Sequence, residues 1–308
     1  MSGPNESRNA SVGIVGVGAM GAAMAENLLR QGFRVVVRDI VAARAEALVA
    51  QGAIVAASAA DVARAADIVL TVVVDSAETD AVVFGAGDDE GLAGGATKAS
   101  IVVMCSTVAP DYVAGLSAAL ESRNVGLVDA PISGGPHRAR DGTMSMMAAG
   151  SDAAIERARP VLEAAASRLF RIGTRPGDGS AMKLVNNMLA AINLAGAAEA
   201  LALAAQLGID LQLARGVIEA SSGGSWMFAD RVPRALAGDE SVRAAMKILT
   251  KDVTLALDVA GAAGSPATLA AAARALYADA LAQGYAERDD AALVEFARRR
   301  TRRDGSQH

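Results

Sequence analysis

The stretch Val12-Gly13-Ile14-Val15-Gly16-Val17-Gly18-Ala19-Met20-Gly21 carries most of the information about the fold. An apolar run is followed directly by the pattern GxGxxG and by an Ala-rich segment typical of a helix. Glycines at these spacings permit a tight turn, a close approach of the backbone to a pyrophosphate, and packing of helix on strand. A turn that merely connects two elements is the alternative. In this context the pattern predicts a dinucleotide site at a helix N-terminus, with the candidate cofactor-binding residues Gly16, Val17, Gly18, Ala19, Met20 and Gly21.

Downstream of this loop, short apolar runs alternate with Ala-rich amphipathic stretches as far as about residue 172. The runs are Val12–Gly16, Phe33–Asp39, Ile68–Val74, Ser100–Cys105 and Val125–Asp129. Each is continuously apolar, as expected for strands that helices cover on both faces. The alternation predicts an α/β fold, with an N-terminal Rossmann-type, doubly wound parallel sheet.

Beyond the Gly-rich turn at residues 173–179, strand-like runs end and an all-α C-terminal domain is predicted. Ser180–Leu207 is expected to form one long helix that joins the two domains. Its apolar length resembles a membrane span, but charged residues within it, such as Lys183 and Glu199, count against that interpretation. The predicted organisation is a disordered tail at 1–10, a dinucleotide-binding domain at 11–175, an all-helical substrate and oligomerisation domain at 176–300, and a basic tail at 301–308.

Composition and charge restrict the classes of partner. With 29 Lys+Arg against 34 Asp+Glu the net charge is −5, which gives no electrostatic reason to expect nucleic acid or a membrane as partner. One cysteine and two histidines provide neither a disulfide framework nor a zinc cluster, so no metal is expected. The N-terminus lacks the order of a signal peptide, and a cytoplasmic protein is therefore expected.

Asp39 ends the second predicted strand, where a carboxylate can accept hydrogen bonds from the adenosine ribose hydroxyls and repel a 2′-phosphate. Ile40 follows it, in place of an arginine that would bind phosphate. These residues favour NAD as cofactor. NADP remains the less favoured alternative, because Arg38 and Arg44 are close in sequence.

Four ordered motifs give the chain a resemblance to the β-hydroxyacid dehydrogenase family, which includes 3-hydroxyisobutyrate dehydrogenases. They are the glycine loop, Cys105–Pro110, Asp129–Gly135 and Gly179–Asn187, and Lys251-Asp252 forms a fifth. The resemblance covers nearly the whole chain. The segments 72–85, 225–233 and 287–290 look most like the L-threonate dehydrogenase branch of the family.

This resemblance implies roles for individual residues. Lys183 matches the family's catalytic lysine, and Asn187 matches its substrate-binding partner. Thr107 is expected near both nicotinamide and substrate, and Val74 and Lys251 near the cofactor. A solvated Lys251 paired with Asp252 is the alternative for that lysine. From the residues alone, Lys183 and Asn187 are four apart and share one helix face. A lysine on a helix is more often a solvated side chain, but this one lies in an apolar stretch, where removal of water from the ammonium suits proton exchange.

Ser133-Gly134-Gly135 follows the end of a predicted strand. Two glycines allow backbone N–H groups to converge on an anion, and the serine hydroxyl adds a donor. A substrate carboxylate is the expected ligand; an ordinary turn is the alternative interpretation of this segment.

Together these observations predict an NAD-dependent oxidoreductase that oxidises a small hydroxyacid by hydride transfer to nicotinamide, with Lys183 as general acid/base. L-threonate or a related sugar acid is the favoured substrate; 3-hydroxyisobutyrate oxidation and tartronate semialdehyde reduction are the alternatives. A dinucleotide-binding scaffold without turnover is the alternative from another class. The long apolar helix further predicts a homodimer or homotetramer.

Overall fold

The computed structural model describes residues 11–96 and 100–304. The segment 1–10, expected to be a disordered tail, and the last four residues of the expected basic tail lie outside this description. The final helix continues to Asp304, so residues 301–304 of that expected tail are helical.

The strands of the described chain form one nine-stranded sheet. They are β1 (Ser11–Val15), β2 (Arg34–Arg38), β3 (Ile54–Val55), β4 (Ile68–Thr71), β5 (Ile101–Met104), β6 (Gly126–Asp129), β7 (Ile132–Ser133), β8 (Ser145–Ala149) and β9 (Arg168–Gly173). The spatial order is β3-β2-β1-β4-β5-β6-β8-β7, and β9 pairs with β8.

The helices of the N-terminal part are α1 (Ala19–Arg30), α2 (Ala42–Glu46), α3 (Ala59–Ala65), α4 (Ser76–Phe84), α5 (Gly91–Gly95), α6 (Pro110–Glu121), α7 (Gly135–Asp141) and α8 (Asp152–Ala165). Those that follow are α9 (Asp178–Gln206), α10 (Leu211–Glu219), α11 (Trp226–Ala237), α12 (Met246–Ala262), α13 (Thr268–Ala280) and α14 (Leu293–Asp304). The sequence therefore correctly predicts an α/β fold followed by helices alone.

Strands β1 to β6 are parallel, and their ends are in register across the sheet. Val15 pairs with both Arg38 and Thr71, Thr71 pairs with Met104, and Met104 pairs with Asp129. The residues that follow these strands consequently lie along one edge. In open parallel sheets this carboxyl edge is where ligands bind.

The sheet departs from a purely parallel one at its far side. β8 runs antiparallel to both β6 and β7. The strands β6 and β7 therefore point the same way, and the chain reverses its direction between β7 and β8. β9 is parallel to β8. The two-residue strands β3 and β7 were not expected, because so short a run shows no periodicity.

Alternate residues of the central strands enter separate apolar clusters on the two faces of the sheet. Val35 and Val37 of β2 lie in one cluster and Val36 in the other; Leu70 and Val69 of β4 divide in the same way. Burial on both faces explains why these strands are continuously apolar. Burial of one such valine or leucine side chain, relative to its exposure to water, contributes about 1.5–3 kcal/mol to the free energy of folding.

The chain divides into two compact units, 1–183 and 184–308. The second unit is helical within the described residues, and its core includes Leu194, Leu201, Val253, Tyr277 and Phe296. The boundary expected near residue 175 falls in the turn between β9 and α9 and stays a prediction. The helix α9 is long and apolar enough to span a membrane, judged by length and composition alone. Of its most apolar 18-residue segment, 44% is buried within this chain.

Candidate active site

The glycine loop joins β1 to α1 with no room for side chains at two of its glycines. Gly16 has φ +90°, and a Cβ there would lie 2.5 Å from the carbonyl oxygen of Val72. At Gly21 a Cβ would lie 1.9 Å from the carbonyl oxygen of Gly16. Gly18, in contrast, faces open space, since a Cβ there would meet no described atom within 4 Å. This open cradle at the start of α1 fits a dinucleotide phosphate.

Asp39 immediately follows β2 and is 5% exposed. Its carboxylate accepts the backbone N–H groups of Val17 and Val41, each at 2.8 Å, and Arg44 lies 3.6 Å away. Ile40, next to it, is 90% exposed. The expected ribose-binding carboxylate is thus held directly against the glycine loop.

Two further candidate cofactor residues follow strands of the same edge. Val74 comes after β4 and is 43% exposed, and Thr107 comes after β5 and is partly exposed. Cys105 is buried, and burial together with the negative charge of Asp129 raises the pKa of its thiol to about 12. A thiol of that pKa is not a nucleophile near neutral pH.

The loop Ser133-Gly134-Gly135 lies between β7 and α7. Gly134 has φ +137° and Gly135 has φ +75°, so both adopt backbone conformations that favour glycine. A Cβ at Gly135 would meet no described atom within 4 Å, whereas one at Gly134 would lie 3.0 Å from the Arg138 side chain. The backbone at Gly135 is therefore open to a ligand.

Lys183 lies in the second turn of α9 and is 7% exposed. The first turn of this helix is attached to Asp129, at the end of β6. One Asp129 oxygen accepts the N–H groups of Gly177 (2.9 Å) and Ser180 (2.8 Å), and the other accepts the Ser180 hydroxyl (2.8 Å). Lys183 therefore follows, by one helical turn, the residue that is bonded to the carboxyl end of β6.

Asn187 and Lys251 lie in the second unit, where a single carboxylate contacts both. The Asn187 side-chain N–H donates to Asp252 at 2.7 Å, and the Lys251 ammonium lies 2.9 Å from the other Asp252 oxygen. Asn187 and Asp252 are 8% and 4% exposed. The Asn187 oxygen accepts from Asn186 at 3.0 Å, so the orientation of the amide is fixed.

The sequence predicted no role for Asp129, and it indicated Asp252 only as an alternative ion-pair partner of Lys251, although both carboxylates lie within the family motifs. An acidic residue at the end of a buried apolar strand was the available indication for Asp129, because a buried carboxylate requires donors. The donors that the structure reveals are 48 and 51 residues away in sequence. Within residues 11–96 and 100–304, no group of three or more His, Cys, Asp or Glu side chains is arranged to hold a metal.

A parallel sheet with this glycine loop and this edge defines a dinucleotide-binding oxidoreductase. Two family models match the chain: the NAD binding domain of 6-phosphogluconate dehydrogenase at residues 11–173, and the NAD-binding domain of NADP-dependent 3-hydroxyisobutyrate dehydrogenase at residues 177–297.

Individual relatives match over nearly their whole length. The chain is 38% identical to an L-threonate dehydrogenase of Cupriavidus necator, over 94% of this chain and 96% of that one. It is 35% identical to an NAD-dependent L-serine dehydrogenase of Pseudomonas aeruginosa, over 90% and 94%. Among solved structures, a 3-hydroxyisobutyrate dehydrogenase from Salmonella typhimurium is 38% identical with a TM-score of 0.87, covering 94% of this chain and 100% of that one.

The chain belongs to the β-hydroxyacid dehydrogenase family, as its motifs predict. It is an NAD(P)-dependent hydroxyacid dehydrogenase that acts on CH–OH groups of small molecules.

Proposed function

We propose that this protein oxidises L-threonate or a related sugar acid with NAD, and that Lys183 exchanges the hydroxyl proton. The observation that carries this proposal is the placement of a buried lysine one turn after Ser180, which is bonded to Asp129 at the carboxyl edge of the sheet. The glycine loop, Asp39 and the loop Ser133-Gly134-Gly135, here called the anion loop, belong to the same unit. These parts all belong to the unit that carries the carboxyl edge of the sheet, which supports hydride transfer from an alcohol at this edge.

The residues at this edge fit a dinucleotide. Backbone N–H groups at residues 16–21 and the N-terminus of α1 bind the pyrophosphate, and Gly18 leaves room for its approach. Asp39 accepts the adenosine ribose hydroxyls and repels a 2′-phosphate, which favours NAD over NADP. By the family resemblance, Val74, Thr107 and Lys251 are the further candidate cofactor-binding residues. Bound NAD supplies the nicotinamide ring that accepts the hydride.

The substrate carboxylate binds the loop Ser133-Gly134-Gly135. Gly134 and Gly135 both have positive φ, and no side chain at Gly135 covers the backbone N–H groups, so an anion can approach them. The Ser133 hydroxyl adds a donor. This arrangement holds one end of the hydroxyacid and leaves the alcohol carbon free to face the nicotinamide.

Lys183 and Asn187 act on the substrate hydroxyl. A neutral Lys183 amine accepts the hydroxyl proton as the hydride leaves carbon, and the ammonium returns that proton in the reverse direction. Asn187 has one side-chain N–H engaged with Asp252, which leaves the other to hold the substrate oxygen. By the family resemblance, Thr107 contacts both substrate and nicotinamide. Proton transfer by Lys183 needs no metal.

The identity of the substrate rests on the relatives. L-threonate is favoured because an L-threonate dehydrogenase is 38% identical over almost the full chain. The serine dehydrogenase at 35% identity and the 3-hydroxyisobutyrate dehydrogenase structure support smaller β-hydroxyacids as alternatives. Tartronate semialdehyde reduction is a further alternative, since it reverses the same chemistry.

A spectrophotometric panel tests this assignment. The purified protein is assayed with NAD and NADP against L-threonate, D-threonate, L-serine and 3-hydroxyisobutyrate, with tartronate semialdehyde and NADH in the reverse direction. We expect the highest kcat/KM with L-threonate and NAD. Preference for another acid would overturn the substrate assignment, and an absence of turnover with any of them would favour a binding scaffold.

The same protein is expected to work as a cytoplasmic homodimer or homotetramer. Val185, Leu189 and Leu203 on α9 and Leu213 and Val217 on α10 are each more than half exposed. A second copy of the chain would remove these apolar side chains from water. This favours an oligomer over a membrane as the surroundings of α9.

A further inference from the structure

The N-terminus of α9 is attached to the sheet by one buried carboxylate. Asp129 is fully buried and accepts two backbone N–H groups and one hydroxyl from residues 177–180, all at 2.8–2.9 Å. We propose that Asp129 is a positioning residue for Lys183, an inference that rests on the proposed function. The carboxylate acts through the helix that carries the lysine, without touching substrate or cofactor.

The close approach of helix and sheet supports this role. A Cβ at Gly179 would lie 2.4 Å from the carbonyl oxygen of Met147 and 2.8 Å from that of Asp129. Gly177 has φ +103°, and its Cβ would lie 2.8 Å from the carbonyl oxygen of Pro110. Backbone therefore meets backbone on both sides of the first turn, and the helix start has no freedom to shift without breaking the Asp129 hydrogen bonds.

The attachment of α9 differs from a local helix cap. Ser58, Asp75 and Ser151 each cap their own helix, α3, α4 and α8, through a side chain three residues before the bonded N–H. The acceptor for α9 comes from a strand 51 residues earlier in sequence. A local cap stabilises a helix wherever the helix lies, whereas Asp129 fixes where α9 lies on the sheet.

Asp129 also connects the two parts of the proposed chemistry. It precedes Ser133 by four residues on the segment from β6 to β7, and Ser180 precedes Lys183 by one helical turn. One carboxylate thus fixes the proposed proton-exchanging amine relative to the loop proposed to hold the substrate carboxylate. A displacement of about 1 Å between such groups can lower the rate by about 10²-fold.

The test compares two helix-terminal serines of the same unit. Ser180→Ala removes one hydrogen bond to Asp129, and the matched control Ser151→Ala removes the cap of α8. Asp129→Asn is the second variant: it keeps the side-chain volume and loses the charge. For each protein, kcat, KM, the Kd for NAD and Tm are measured, and Ser180→Ala is repeated in a Lys183→Ala background.

We expect Ser180→Ala to lower kcat about 10-fold and Asp129→Asn to lower it further, with the Kd for NAD within about 2-fold of wild type. Ser151→Ala should lower Tm yet keep kcat. In the Lys183→Ala background, Ser180→Ala should have no further effect on kcat, because the residue through which it acts is missing.

Equal kcat losses for Ser180→Ala with and without Lys183 would overturn the positioning role and leave Asp129 a purely structural group. A wild-type kcat for Ser180→Ala would do the same. In both cases a strong loss in Lys183→Ala alone would leave the proposed function standing. If Lys183→Ala itself kept wild-type kcat, the proposed function and the positioning role would fail together.

Discussion

The carboxylate of Asp39 accepts the backbone N–H of Val17 at 2.8 Å, so the end of β2 is bonded to the centre of the glycine loop. Its other oxygen accepts Val41 N–H at the same distance. The residue that is predicted to bind the ribose is therefore also bonded to the loop that is proposed to bind phosphate. Its substitution should affect both cofactor choice and cofactor affinity.

We expect Asp39→Asn and Asp39→Ala to differ. Asn keeps an oxygen that accepts Val17 N–H but loses the charge that repels a 2′-phosphate, so the preference for NAD over NADP should fall about 10-fold. Ala leaves that N–H without its acceptor, at a cost of about 1–3 kcal/mol, so affinity for both cofactors should fall. Fluorescence titration with NADH and with NADPH measures the affinity for each cofactor and, from their ratio, the preference.

The control for this pair is Asp88→Asn, which removes the same charge from an exposed position in the same unit. A further variant, Ile40→Arg, should raise NADP affinity, since Ile40 is 90% exposed and an arginine there meets no steric obstacle. A wild-type protein that binds NADP more tightly than NAD would contradict the role given to Asp39.

Replacement of Lys183 should abolish most of the turnover without loss of cofactor binding. Lys183→Ala is expected to lower kcat by about 10²–10⁴-fold, the usual contribution of a positioned acid–base group. Lys183→Arg should not restore it, because guanidinium keeps its proton at working pH. Wild-type oxidation should accelerate as pH rises, since the amine must be neutral to accept the hydroxyl proton, and kcat against pH measures this.

Lys247→Ala is the matched control, because Lys247 is half exposed and paired with Glu287 at 2.7 Å. It should stay within about 2-fold of wild type. If Lys183→Ala behaved like Lys247→Ala, Lys183 would have only a structural role. Another group would then have to accept the proton of the substrate hydroxyl.

The anion loop can be tested with two glycines that share the same backbone strain. Gly135 (φ +75°) and Gly32 (φ +88°) both have positive φ and open space around a Cβ. We expect Gly135→Val to raise KM for L-threonate by at least about 10-fold, because the side chain blocks the backbone N–H groups, while Gly32→Val leaves KM unchanged. Initial rates with each variant, and NADH titration, separate the two. A parallel loss of NADH affinity in Gly135→Val would show that the loop is not dedicated to substrate.

Stability of the helical unit should depend on the buried pair of Arg234 and Asp289, whose side chains are 8% and 3% exposed and 2.8 Å apart. Asp289→Ala leaves a buried guanidinium without this partner, at an expected cost of about 3–5 kcal/mol in unfolding free energy. The exposed pair of Asp279 and Arg300 is the control, and Asp279→Ala should cost about 0–1 kcal/mol. Urea unfolding measures both.

The contribution of Asp289 should also depend on pH. Burial alone would raise its pKa, but Arg234 and the N–H groups of Arg243, Ala244 and Ala291 hold the pKa of Asp289 below 3.8. The unfolded chain therefore binds the proton more readily, so this stabilisation is present above about pH 4 and is lost as pH falls through the folded-state pKa. The gap between wild type and Asp289→Ala should narrow on acidification; a gap that widened would reverse the assigned sign.

The exposed apolar face of α9 should hold copies of the chain together. Glutamate at Leu189 and Leu203, which are 56% and 55% exposed, is expected to reduce the molar mass measured by light scattering to that of a monomer. Val49→Glu, at a 52% exposed site of the first unit, should leave the mass unchanged. A monomeric wild-type protein would contradict the proposed oligomer.

Continuous apolar runs and the glycine pattern were sufficient to predict the α/β fold, because strands buried on both faces need apolar residues at every position. The antiparallel direction of β8 could not be predicted, since an apolar run does not indicate which way a strand runs in the sheet. Short helices such as α3, α5 and α7 could not be predicted individually, because segments of five to seven residues show little helical periodicity.

The tight turn at Gly16 and the burial of Lys183 agree with what their sequence surroundings indicate, whereas their roles in binding and catalysis stay predictions. Contacts that depend on distant segments could not be predicted. Asp129 meets residues about 50 positions away, and Asp252 lies 65 positions from Asn187. Sequence patterns indicate which side chains are available, whereas the partners of a buried carboxylate depend on how the segments pack.

The continuity of α9 limits how relatives of this protein can be recombined. A crossover in the turn at residues 173–177, which a sequence-based boundary would suggest, transfers Ser180 and Lys183 with the incoming C-terminal half and leaves Asp129 behind with the recipient. A functional chimaera then requires that the donor's helix start offers a hydroxyl and glycines that match the recipient's β6 end. A crossover after Lys183 keeps this contact within one parent, and the join is then made inside a helix, where the register of every following residue must be preserved.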